Sequence, residues 1–180
     1  MEIDLIKKND EELTRLLTYA GFILLAFELI KGLIVKPIKV FYWNTSFSEN
    51  MPFKSYEEDV MTRHKNEFEA CLLYLRDFME AIDNEDLLTI QELRKHRNEV
   101  AHNFPDLIHK LDMNENLKLL EKVDKTLFRL SNYRTYIEIG ADPKFKSKGI
   151  DWSTIKGHEY LLFEEIIRKA RILSESRNEA

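Results

Sequence analysis

The sequence predicts an all-α protein, one domain over residues 1–180 folded as an up-and-down bundle of about five helices. Three observations predict it. Gly (5) and Pro (4) are scarce, which favours long helices over turn-rich β structure. Apolar residues recur at helical spacing along five separate stretches. The composition, 44% hydrophobic and 33% charged, is that of a globular chain, and 180 residues are enough to bury a core without disulfide or metal staples.

The first helix is expected from about Glu11 to Val35. Leu13, Leu16, Leu17, Ala20, Ile23, Leu24, Phe27, Ile30 and Ile34 recur at helical spacing. A second set, Phe22, Leu25, Ala26, Leu29 and Leu33, makes it apolar nearly all round, as in a helix buried on several sides or meeting another subunit. Pro37 is expected to end it. Residues 37–54 read as a connection whose aromatics (Phe41, Tyr42, Trp43, Phe47, Phe53) cap the core. Ser55 is the candidate N-cap of a second helix reaching about Ile82, with Glu57, Glu58 and Asp59 facing the dipole in its first turn.

Asp83-Asn84 breaks that helix, and a third runs from about Glu85 to Asn103, stopping before Pro105. A short piece is expected at Leu107 to Leu111. The fourth helix spans about Glu115 to Ile139, with Leu117, Leu120, Val123, Leu127 and Leu130 on its apolar side and Gly140 at its end. Residues 141–156, carrying Lys144, Lys146 and Lys148, read as a solvated loop. The last helix runs from about His158 to Glu175.

Charge and cysteine usage narrow the setting. A net charge of -5 argues against avid, non-specific nucleic-acid binding but leaves room for a local basic pocket. The lone Cys71 excludes a disulfide within the chain and suits a reducing compartment, so a cytoplasmic location is expected. The start, Met1-Glu2-Ile3-Asp4, lacks the basic n-region of a secretory signal. Glu28 and Lys31 interrupt the apolar run from Tyr19 to Val35, which favours a core helix over a membrane span. No histidine pair has the spacing of a zinc site on one helix face, so no metal and no cofactor is expected. Gly-rich phosphate loops and Gly-x-Ser-x-Gly elbows do not occur.

The third helix holds the one misfit. Ile90, Leu93, Val100 and Phe104 form its apolar stripe, and position 97, on the centre line of that stripe, is Arg97. A lone guanidinium in a dry core costs several kcal/mol. Arg97 should therefore meet a carboxylate, with Glu69 and Glu28 as candidates, or line a cleft or a subunit interface. Arg94, Asn98 and His102 follow at four-residue spacing as a polar ridge beside it. Arg97 and His102 diverge by about 140° around the axis. A second copy related by a two-fold axis would bring two of each together.

These residue types suit RNA cleavage by the 2′-hydroxyl. A histidine serves as base or acid near neutral pH. An arginine forks two N–H donors onto the crowded phosphate.

The string Arg97-Asn98-Glu99-Val100-Ala101-His102 resembles the Arg-polar-x-x-x-His signature of the HEPN superfamily. These are small helical-bundle domains, many of them dimeric, metal-independent ribonucleases, including toxins of toxin–antitoxin and phage-defence systems. The resemblance implies Arg97 as phosphate stabiliser, His102 as catalytic histidine and Asn98 as the polar residue after the arginine. It also implies RNA as substrate, a 2′,3′-cyclic phosphate product, a homodimer with the active cleft at its interface, and a separate antitoxin protein as partner. Arg94, one turn earlier on the ridge, is the candidate RNA contact. The close match is confined to Arg94 through Pro105. Phe104 stands where some toxin members carry a tyrosine that a partner nucleotidyltransferase modifies, so silencing by that route is not expected. The rival expectation is a non-catalytic HEPN-like module for helical interaction or nucleotide binding.

Overall fold

The computed structural model describes residues 10–107, 113–140, 142–146 and 148–175, and these residues are mostly helical, with no strand among them. The expected piece at Leu107 to Leu111 falls largely on residues 108–112, outside the described ones. Seven α-helices occur among the described residues: α1 Asp10–Asn44, α2 Tyr56–Asp59, α3 Glu67–Asp77, α4 Asn84–Leu107, α5 Met113–Thr135, α6 Pro143–Lys146 and α7 His158–Glu175. The five expected helices thus correspond to α1, α2 with α3, α4, α5 and α7.

α1 is the hub. It packs against α3, α4, α5 and α7, which follow one another around it through α3–α4, α4–α5 and α5–α7 contacts. Tyr19, Ile23, Ala26, Ile30 and Ile34 of α1 are fully buried. They join Leu72, Leu93, Leu120, Leu127 and Phe163 from the surrounding helices in one core. Each such Ile or Leu side chain contributes about 1.5–3 kcal/mol on burial. By length and composition α1 could cross a membrane, yet 44% of its apolar window is buried inside the fold. One strip of α1 faces outward, with Leu17 52% and Leu25 41% exposed and Gly21 and Glu28 between them.

Pro37 does not end α1, which continues to Asn44. A proline removes one backbone hydrogen bond and crowds the preceding turn. Burial on both sides of it, at Ile34 and Ile38, holds the helix through the defect. Tyr42, in the continued segment, donates to Asp59 Oδ2 at 2.8 Å, and its hydroxyl oxygen lies 3.1 Å from Tyr74 Oη. The aromatics of the expected connection do pack together: Phe41 lies 5.0 Å from Phe53 and 5.6 Å from Phe47. Trp43 stands apart at 88% exposure.

The expected second helix is two. Ser55 Oγ caps α2 by accepting from the Glu58 amide. The chain then passes through a 3-10 turn, Met61–Arg63, and an extended His64. Asn66 caps α3 by accepting from the Glu69 amide. α3 closes with Glu80 in the left-handed region, φ 51°, and Ala81 N–H donating to Leu75 C=O at 2.9 Å.

α4 also passes its expected end. It bends at Asn103 (φ -123°, ψ 20°) instead of stopping before Pro105. α5 widens into a π-turn, Tyr136–Gly140. The expected loop at 141–156 contains α6 and a 3-10 turn, Trp152–Thr154, capped by Asp151. Gly157 leads into α7 at a close approach to α5, where a Cβ would strike the Ser131 and Thr135 hydroxyls.

Candidate functional site

α4 presents its polar ridge where it lies along α1 and beside α3. Ile90, Leu93 and Val100 are buried as their spacing requires, and Arg97 emerges at the edge of that stripe with its side chain 29% exposed. Its guanidinium carbon sits 5.3 Å from the centre of the buried Phe27 ring. Arg97 Nη2 lies 3.5 Å from Glu28 Oε1, and Arg97 Nη1 donates to Asn98 Oδ1 at 3.2 Å. Arg97 Nε is buried without a hydrogen-bond acceptor. Of the two carboxylates expected for Arg97, Glu28 is the one it meets.

Glu69 belongs to Arg94 instead. Arg94 Nη1 donates to Glu69 Oε1, and Gln91 Nε2 donates to Glu69 Oε2. Arg94 stacks over Phe68 at 5.4 Å, and Phe68 contacts Phe27 at 5.5 Å. Two arginines therefore lie over two touching rings, each with its own carboxylate. Cation–π contact of this kind is worth about 0.5–2 kcal/mol depending on desolvation.

His102 is exposed on α4, one residue before the bend at Asn103. Among the described residues no hydrogen bond or ion pair joins it to Arg97. Within one chain, then, the fold brings Arg97 and Asn98 together, places Arg94 in a separate pair, and leaves His102 facing outward. The outward strip of α1 adjoins this ridge through Glu28. Leu17, Gly21, Leu25 and Glu28 lie within about 80° of one another around the α1 axis. A Cβ added at Gly21 meets nothing within 4 Å.

Two features escape a reading of the sequence. Phe27 and Phe68, read there as core, also form the floor beneath the arginines. His96, on the other side of α4, lies with Nε2 3.4 Å from Tyr19 Oη and Nδ1 4.0 Å from Glu99 Oε2. Burial lowers its pKa, against the pull of Glu99 and Glu92. Its four-residue spacing from the apolar Val100 was the available signal.

Among the described residues, two cavities stand out away from this ridge. The larger, about 700 Å³, lies between the α3–α4 turn, α5 and Trp152. The smaller, about 210 Å³, lies between α5 and α7. Neither is lined by Arg97 or His102. No group of three or more His, Cys, Asp or Glu side chains among the described residues is arranged to hold a metal ion. No family model matches this sequence, and neither the curated proteins nor the solved structures yield a match.

Proposed function

We propose that this chain is a metal-independent endoribonuclease of HEPN type, working in the cytoplasm as a homodimer, in the manner of a toxin or phage-defence effector restrained by a separate antitoxin. The observation that carries the reading is the exposed Asn98 and His102 ridge of α4, with Arg97 flanking it beside an outward apolar strip of α1. A second copy covering that strip would bring two arginines and two histidines to one cleft.

In that cleft one His102 takes the proton from an RNA 2′-hydroxyl, and the freed oxygen attacks the adjacent phosphorus. The other His102 gives a proton to the departing 5′-oxygen as the P–O5′ bond breaks. Products are a 2′,3′-cyclic phosphate and a 5′-hydroxyl, with no water consumed. Arg97 stabilises the crowded phosphate. Its Phe27 floor and Glu28 partner fix its direction, and its Nε N–H lacks an acceptor.

The test is incubation of purified protein with total RNA in EDTA, with analysis of the termini. Cyclic phosphate ends are expected from the wild type, and a loss of about 10²- to 10⁴-fold from His102→Ala. Gly21→Arg supplies the dimer arm. Its side chain enters open space in the protomer and should leave folding intact, yet convert a dimer to a monomer by light scattering and abolish cleavage. Equal cleavage by wild type and His102→Ala defeats the enzyme reading.

A second reading has its own support. Arg97 already closes on Glu28, Asn98 and Phe27, as it would in a non-catalytic HEPN-like module whose ridge is a structural ion pair. That module would dimerise, or bind nucleotide, without cutting RNA.

A further inference from the structure

The larger cleft lies at the end of α4 opposite His102 and takes no part in the chemistry above. Its walls are the last turn of α3 (Arg76), the α3–α4 turn (Glu80, Asp83), α5 (Arg129, Tyr133) and the aromatic pair Tyr136 and Trp152. The Tyr136 and Trp152 rings meet edge to face at 6.0 Å, and Tyr136 is an exposed apolar surface within the lining.

The charges in this cleft are unevenly matched. Arg76 is taken up by Asp77 at 2.6 Å and by Asn84 at 3.2 Å. Arg129 is taken up by Asp83 and Asp86. Of the four charged side chains that line the cleft, Arg76, Arg129 and Asp83 are thus engaged, and Glu80 alone has no ion pair or hydrogen bond among the described residues. An anionic ligand would find both arginines occupied and the Glu80 charge unneutralised.

Glu80 is also strained. It occupies the left-handed position that closes α3 (φ 51°), beneath the Ala81 N–H to Leu75 C=O bond. Glycine is preferred at that point because it has no Cβ to clash. A charged residue held there at a cost in stability, unpaired, on the rim of an aromatic-walled cleft, is a sign of a binding role.

We propose that this cleft binds an organic cation, a primary ammonium or guanidinium carried on an apolar stem, with Glu80 as its counter-charge and Tyr136 and Trp152 as its π-faces. The ligand is either a small amine or a lysine or arginine side chain of another protein, and the chemistry of recognition is the same for both.

The experiment uses the full chain with Trp43→Phe. That removes the exposed second tryptophan and leaves Trp152 as the sole reporter. Fluorescence is titrated with n-butylammonium, n-butylguanidinium, neutral n-butanol and AMP, and with acetyl-Gly-Lys-Gly-amide and acetyl-Gly-Arg-Gly-amide. Saturable binding of at least one cation, about tenfold tighter than butanol, is expected. Glu80→Gln should weaken it about three- to fivefold and leave the butanol response unchanged. Glu80→Gly should lose the same affinity while raising Tm by about 2–4 °C. That combination separates a ligand role from a structural one. A peptide binding more tightly than the free cation identifies a protein side chain as the source, and equal binding identifies a small amine. Either supports the site. Equal responses to cation and butanol, preference for AMP, absence of saturable binding, or unchanged affinity in Glu80→Gln would overturn it.

Discussion

Arginine–carboxylate contacts hold α4 at both ends, and the two ends are of opposite kinds. At the N-terminus every acceptor is filled. Arg129 from α5 reaches Asp83 at 2.7 Å and also Asp86, whose residue is only 3% exposed. Asp86 Oδ1 accepts from Thr126 Oγ1 at 2.7 Å. Asp83 and Asp86 cap the helix reciprocally, each accepting from the other's backbone N–H. Toward the C-terminus, Arg97 has one 3.5 Å ion pair with a half-exposed Glu28, a bond to its neighbour Asn98, and an Nε without an acceptor. The carboxylates that build the fold at the first end have every acceptor filled, whereas Arg97 holds a single half-exposed carboxylate, and the proposed division of labour along α4 rests on that difference.

The comparison breaks most visibly at Arg97. Arg97→Ala is expected to lower RNA cleavage about 10²- to 10³-fold, the usual loss when a transition-state donor is removed. Stability should fall by no more than about 1 kcal/mol, because the pair it forms is half exposed. Cleavage of a labelled RNA beside urea unfolding of the same preparation reads both. A large stability loss with unchanged cleavage would put Arg97 in the same class as Arg129.

Asp86→Ala is the mirror substitution. It leaves Thr126 and part of Arg129 without their acceptor, and should cost about 2–3 kcal/mol of unfolding free energy. Arg129 keeps Asp83 and some access to water, which holds the loss below that of a fully isolated charge. Cleavage per folded molecule should match the wild type. A drop in cleavage at full foldedness would show that the two ends of α4 are coupled.

This contrast was only half legible in the sequence. Arg97 stood out because a charge broke a helical apolar stripe, and Glu28 could be named as a partner because it interrupts an apolar run in the same way. Both are local patterns. The bounds of α7, His158–Glu175, were readable for the same reason. Asp86 and Arg129 lie 43 residues apart, and each alone resembles an ordinary surface charge near a helix end. Pro37 and Pro105 were read as stops because local sterics say so. Packing of Ile34 and Ile38 outweighed the first, and a bend at Asn103 accommodated the second. The split between α2 and α3 turned on Asn66 acting as a cap, in a stretch whose charged residues fit a helix as well as they fit a loop. The aromatic cleft was invisible because Tyr136, Trp152 and Glu80 come from three separate turns.

The smallest expected effect concerns acid. Arg129 beside Asp83, aided by the Asp86 N–H, holds the Asp83 carboxyl down at about 2, below its ordinary 3.8. The unfolded chain therefore takes up that proton first as pH falls. The stability Asp83 contributes is complete above its unfolded value and is lost as pH drops from about 4 toward 2. Asp83→Asn should make the acid limb of the stability profile shallower across that window and leave its slope above pH 5 unchanged, as read from urea midpoints at stepped pH. RNA cleavage at neutral pH should be untouched, since the group sits at the saturated end of α4. An acid limb as steep in the variant as in the wild type would mean that Asp83 adds little to the lock, leaving Asp86 as the carboxylate through which Arg129 ties α5 to α4.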